Sequence, residues 1–210
     1  MSDTYDPNCQ KCNRLANFLA EVKEQHATYF CKPVPAFGHN KSRLLVVGLA
    51  PGMHGANRTV RPFTGDYAGV SLYKNLHKYG FSNRDKSISS SDNLELINCK
   101  ITNAVKCLPP QNKPNGSEIN NCNGYLRNEI LMLEKGSIIL ALGGIAHRAI
   151  IKSLLLKQAD YKFGHGNEHK VNHLQLINSY HCSRYNLNTK RLTLPMFEEI
   201  FNRVSMLLRK

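Results

Sequence analysis

Three sets of residues in this chain of 210 have types and spacings that can do chemistry. The first lies in Val46–Asp66, VVGLAPGMHGANRTVRPFTGD. An apolar run breaks there into a loop of small residues, and Pro51, His54, Asn57, Arg58, Arg61, Phe63 and Asp66 follow within sixteen residues. A strand feeding such a loop lets backbone N–H groups approach a ligand, because no Cβ stands in the way. The second set is polar residues expected at strand ends: Asp66, Asn103 and His181. An Asn amide pairs with one donor and one acceptor at once, as a base edge requires. A His donates to a developing anion, a carboxylate orients water, and Phe63 can stack on a planar ligand. The third set is thiols. Cys9-Gln-Lys-Cys12 is a C-x2-C knuckle, and fourteen residues separate Cys107 from Cys122. Spacing alone leaves three readings open: a zinc site, a [4Fe–4S] cluster or unrelated buried thiols. Cys31 and Cys99 read as core residues.

Each residue taken singly has an ordinary reading too. An Asn at a strand end commonly caps a turn, a Phe commonly sits in the core, and a loop His is commonly a satisfied polar residue. Composition tilts the balance. Lys and Arg outnumber Asp and Glu by 28 to 15, a formal charge of +13. Such an excess favours a polyanionic partner through phosphate neutralisation and counterion release. No apolar run approaches the roughly 18 residues of a membrane span. The N-terminus lacks the basic head and apolar stretch of a secretory signal, so a cytoplasmic, nucleoid-associated protein is expected and disulfides are not.

The elements that must position these residues follow from periodicity. After Cys12, Leu15, Phe18, Leu19 and Val22 recur at helical steps. Pro33 and Pro35 force an extended connection into a first strand, Arg43–Leu49. A helix is expected over Val70–Tyr79, an exposed Ser-rich loop over Ser82–Asp92, and a second strand from Leu96 to about Asn103. LPPQNKPNG excludes helix and central strand. A helix over Ser117–Leu133 would be capped by Ser117. A third strand, Ser137–Leu142, turns through Gly143-Gly144 into a helix over Ala146–Leu156. A Gly/His-rich loop, Phe163–His169, precedes a fourth strand, Leu174–Asn178, and a helix over Leu194–Leu208 ends the chain. Four apolar strands alternating with helices predict one domain over 1–210, a three-layer α/β/α sandwich around a four-stranded parallel sheet. In such a sheet the carboxyl ends of the strands form the ligand rim.

At this level of detail the chain resembles the family 5 uracil-DNA glycosylases, the iron–sulfur branch of the uracil-DNA glycosylase superfamily. The shared stretches are the N-terminal CxxC, KPVPAFG at 32–38, GLAPGMHGANRTVRPFTGD at 48–66 and ITNAVKCLPPQNKP at 101–114. Cys122, ALGG at 141–144, FGHG at 163–166 and SYHCSRYN at 179–186 complete the series. The resemblance implies a monofunctional enzyme that flips a damaged base out of DNA and hydrolyses its N-glycosidic bond. Uracil would be the chief substrate, with hypoxanthine and other deaminated or modified bases beside it. By the same resemblance Cys9, Cys12, Cys107 and Cys122 ligate a [4Fe–4S] cluster, in an iron–sulfur region formed by 9–12 and 107–122. Ala50, Gly52, Phe63 and Asn103 bind the base, Asp66 positions water, and His181 hydrogen-bonds the base carbonyl. Arg58, Arg184, Tyr185 and Asn186 contact DNA, the last three pressing into the minor groove. The resemblance implies a monomer with no membrane partner. No lysine is implicated, so no lyase step is expected.

The chain departs from the family pattern at named positions. Leu49 stands where related branches carry an acid, Val60 where glycine is common, and Gly52 where alanine is common. Cys182 replaces the proline of the usual His-Pro-Ser motif, which is expected to loosen the loop carrying His181. Two rival readings follow. One is a catalytically weak or inactive iron–sulfur DNA-binding protein. The other is a zinc-bearing nucleotide hydrolase.

Overall fold

A computed structural model describes residues 4–209. Helix α1 (Asn13–Gln25) packs Leu15, Leu19 and Val22 inward. The chain then forms a short strand, β1 (Phe37–Gly38), and the first long one, β2 (Leu44–Gly48). Next come α2 (Ala56–Thr59), α3 (Tyr67–Lys78), β3 (Cys99–Asn103) and α4 (Gly116–Leu131). The second half runs β4 (Ile138–Leu142), α5 (Gly144–Ser153), β5 (Glu168–Val171), β6 (Leu174–Ser179), α6 (Arg184–Asn188) and α7 (Leu194–Leu208).

The strands form one sheet in the order β1-β3-β2-β4-β6-β5. The four inner strands are parallel, as expected. The sheet has six strands rather than four, because β1 and β5 add antiparallel edges. Neither edge was legible. A two-residue strand has no period, and Glu168-His-Lys-Val171 carries the polar side chains that protect an edge. β5 also claims the end of the expected Phe163–His169 loop.

Alternate residues of β2 face opposite layers. Leu44 and Val46 join a core with α3 and α7, and Leu45 and Val47 join one with α4 and α5. That is the expected three-layer sandwich. A third cluster joins α1 to Val105, Leu108 and Tyr125 beside the cysteines. Just past β3, the buried Lys106 ammonium reaches the Glu129 carboxylate at 2.9 and 3.0 Å and also bonds Thr102. That pair clamps the strand end to α4.

Several boundaries shift. Helix α3 begins at Tyr67 rather than Val70, because Asp66 already holds the extended N-cap backbone. Helix α4 is capped by Asn115 rather than Ser117. Asn115 accepts from the Glu118 N–H at 2.9 Å, and Glu118 accepts from the Asn115 N–H at 2.8 Å, a reciprocal capping box. The second strand starts at Cys99, three residues later than expected.

Candidate active site

The carboxyl ends of β2, β3 and β6 open onto a cavity of about 360 Å³, within the range of ligand sites. Ala50 and Gly52 leave β2, Asn103 ends β3, and His181 follows β6; Phe63 and Asp66 come from the loop before α3. The Phe63 and His181 rings are nearly parallel, 28° apart with centroids at 6.0 Å. Asn103 is buried, and its Oδ1 has no hydrogen-bond partner. Leaving a buried acceptor unpaired costs roughly 1–3 kcal/mol. A Cβ on Gly48 would collide with that oxygen, so the glycine makes room for it.

Asp66 occupies a helix N-cap position, yet its side chain does not cap α3. The carboxylate turns instead onto the loop after β2 and accepts from the Ala56 N–H. A Cβ on Gly55 would collide with it, and one on Gly52 would lie 2.6 Å from Oδ1. The glycine at position 52 thus leaves room for Asp66 to lie against the loop. Burial raises the Asp66 pKa to about 6, against the Ala56 N–H and the Arg58 and His54 charges that lower it. Burial lowers the His181 pKa to about 4. At neutral pH the site therefore holds an ionised carboxylate and a neutral imidazole.

The loop carrying His181 is tied at Cys182 and at the His181 carbonyl. The buried Cys182 thiol donates to the Ala68 carbonyl at 3.4 Å, which ties the loop to α3. Asn186 Nδ2 donates to the His181 carbonyl at 2.8 Å from below. Val60 is the C-cap of α2 with φ at +69°, which shows why glycine suits that position.

Of the residues singled out from sequence, Asp66, His181, Ala50, Gly52, Phe63, Asn103 and Arg184 line this cavity. Arg58 is exposed outside the lining, its charge acting on Asp66. Tyr185 projects into solvent with 72% of its surface exposed. Asn186 lines an adjoining hollow instead, where its hydrogen bond braces His181. Sequence reasoning missed Tyr67, Asn112 and Ser183, which complete the wall. Tyr67 and Ser183 directly follow Asp66 and the His181-Cys182 pair. Asn112 lies in the Pro-rich stretch after β3, so proximity to the motifs was the available signal.

The four cysteines of the two pairs line one separate hollow, together with Lys106 and Tyr125. All are free thiols. Burial, then the neighbouring Cys122, Cys9 and Cys12, push the Cys107 thiol up to about 12. The Lys106 N–H donates to Cys122 Sγ at 3.3 Å, and Asn121 Nδ2 donates to Cys12 Sγ at 3.5 Å. Among the described residues, no group of three or more His, Cys, Asp or Glu side chains is arranged to hold a metal ion. Cys31 and Cys99 are buried core residues, as expected.

Residues 35–205 match the family described as the Uracil DNA glycosylase superfamily. A type-5 uracil-DNA glycosylase of Pyrobaculum aerophilum is 39% identical over 94% of this chain and 88% of its own. One from Thermus thermophilus is 39% identical over 91% of this chain and 90% of its own. A third, from Mycobacterium bovis, is 36% identical over 95% of this chain and 78% of its own. Type-4 relatives match less well, one from Sulfurisphaera tokodaii at 28% over 92% of this chain. With a base-sized cavity at the strand ends and likeness running through nearly the whole chain, the protein belongs to the type-5 uracil-DNA glycosylases.

Proposed function

We propose that this protein is a monofunctional glycosylase that removes uracil from DNA by hydrolysis and leaves an abasic site. The observation that carries the reading is the gathering of Asn103, Phe63, His181 and Asp66 around one cavity. Uracil offers an N–H donor beside a carbonyl acceptor, the complement of an amide, and Phe63 supports its face. Hypoxanthine presents the same donor and acceptor on its pairing edge, so it is a second substrate.

Extruding the nucleotide costs a few kcal/mol of unstacking. Exposed Tyr185, with Arg184 and Asn186, fills the space the base leaves, and Arg58 meets a phosphate. The bond from C1′ to the base nitrogen breaks, and its electron pair leaves with the base. Neutral His181 donates a hydrogen bond to the base carbonyl as negative charge builds there. Water adds to C1′, its proton passes to Asp66, and the departing base takes a proton from solvent. One chain supplies every group named here, which supports action as a monomer.

Four thiols lining one hollow, two of them accepting N–H donors, supply the ligand type and number of a [4Fe–4S] cluster, although their arrangement here is not that of a metal-ion site. Cys9, Cys12, Cys107 and Cys122 would hold it, and it would supply a cross-link between residues 9–12 and 107–122. No helix among the described residues is long and apolar enough to cross a membrane.

The test is cleavage of labelled duplexes carrying uracil, hypoxanthine or no lesion, with alkali added afterwards. Breaks at the lesion, only after alkali, are the expected result. Specific DNA binding with no breaks would replace this reading with that of an inactive DNA-binding protein. Purified protein should be brown, with broad absorption near about 400 nm that bleaches on iron chelation. A colourless, zinc-containing protein would overturn the cluster.

A further inference from the structure

The Ser-rich stretch expected as a plain exposed loop is in fact a braced one. Arg61 and Asp92 form an ion pair at 2.7 Å, with side chains only 6% and 12% exposed. Asp92 also accepts from the Ile88, Ser89 and Leu94 N–H groups at 2.7, 3.2 and 3.0 Å. The Ser87 hydroxyl bonds Thr64 at 2.6 Å and Arg61 at 3.0 Å. This bracing fixes the loop against the segment that carries Phe63. It also holds Ile88 outward at 71% exposure, facing a helix start where Val70 is 66% and Tyr67 45% exposed.

Between the loop and α3 lies a second hollow of about 430 Å³, with Lys86 and Arg184 on its rim. It shares Asp66, Tyr67 and Arg184 with the base cavity, so the two adjoin. The Arg184 guanidinium lies 4.7 Å from the Tyr67 ring centroid, which presents a flat, charged surface. Flat and apolar groups beside cations are what a nucleotide needs: a stacking face for its base and counter-charge for its phosphate. Lys86 and Ile88 also line another hollow on the far side of the loop, together with Arg84 and Asp85. On the near side Lys86 shares its hollow with Arg184.

We propose that this hollow is a subsite for the nucleotide adjoining the flipped one on the damaged strand, its base against Tyr67, Val70 and Ile88 and its phosphate at Lys86. The inference rests on the glycosylase reading above. It makes the enzyme sensitive to strand length on one side of the lesion and tolerant of the neighbour's identity.

Single-stranded uracil oligonucleotides extended one nucleotide at a time, on either side, test it with wild type, Ile88→Ser and Lys86→Gln. For wild type, kcat/KM should rise about fivefold to tenfold when the adjoining nucleotide is added on one side only. Both variants should lose that step through KM and match wild type on the shortest substrate. Lys86→Gln should also lower the salt slope of binding to an abasic-site oligonucleotide by about one, and Ile88→Ser should leave it unchanged. Equal length responses in all three proteins, with excision intact, would overturn the subsite and leave the function standing. Excision from no substrate would overturn the function and the subsite with it. Both residues are exposed, and unchanged melting temperatures would confirm intact folds.

Discussion

Two carboxylates flank the Phe63 segment and live opposite lives. Asp92 is surrounded by donors. Burial alone would raise its pKa, but Arg61 and three backbone N–H groups outweigh that and hold the carboxyl well below its usual range. Asp66 has one backbone N–H, Arg58 and His54 acting on it, and burial wins, at about 6. The contrast teaches how the site is built. A satisfied acid fixes the scaffold, and an under-satisfied acid is kept reactive beside it.

The largest expected effect breaks the comparison at its reactive end. Asp66→Asn should lower kcat by about a thousandfold, within the span of acid–base contributions. It should also stabilise the fold at pH 7. The folded pKa is raised above the usual carboxylate value, so the charge opposes folding as pH climbs from about 4 through 6. The full cost of roughly 3 kcal/mol is present at neutral pH. Denaturant melts at pH 7 and pH 4 check the sign, because the gain should shrink at pH 4. Lower stability of the variant at pH 7 would contradict the under-satisfied acid.

At the scaffold end, Asp92→Ala strands the buried Arg61 charge. A loss of about 3 kcal/mol is expected in urea unfolding. Activity per folded molecule should fall mainly through KM, because Phe63 and the Lys86–Ile88 loop lose their brace. A sharper test of the reactive acid alone is the pH profile. For wild type, kcat/KM should rise about tenfold per unit up to pH 6 and then flatten, as Asp66 ionises. With its pKa near 4, His181 adds no break between pH 5 and 8. The smallest effect lies at the base of the same loop. Val60→Gly relieves a branched residue at φ +69° and should stabilise by about 0.5–1 kcal/mol without changing kcat.

Much of this was written locally. Val46–Val47, Ile139–Leu140 and Leu176–Ile177 announce buried parallel strands, because both of their faces are covered. Asn103 and His181 could be placed at strand ends because those strands were visible. Asp66 was found by motif, but its N-cap position and its approach to Gly52 and Gly55 were not. Residues near Asp66 in sequence gave no sign that its carboxylate would turn away from its own helix. The Asp92 brace was equally hidden, since it lies 31 positions beyond Arg61. The Ser-rich composition between them reads as plain solvent-exposed loop.

The sequence by itself determined the layer order, the cysteine pairs, the basic surface and the residue types at the rim. Each is a property of period, spacing or composition, which need no partner from elsewhere in the chain. Only the tertiary structure decided which acid would be satisfied and which left wanting, and that four distant thiols would share one hollow. It also decided that the Cys182 thiol would bond the Ala68 carbonyl. Burial and hydrogen bonding are set by what the fold brings from far away, and neither can be counted until the chain has closed on itself.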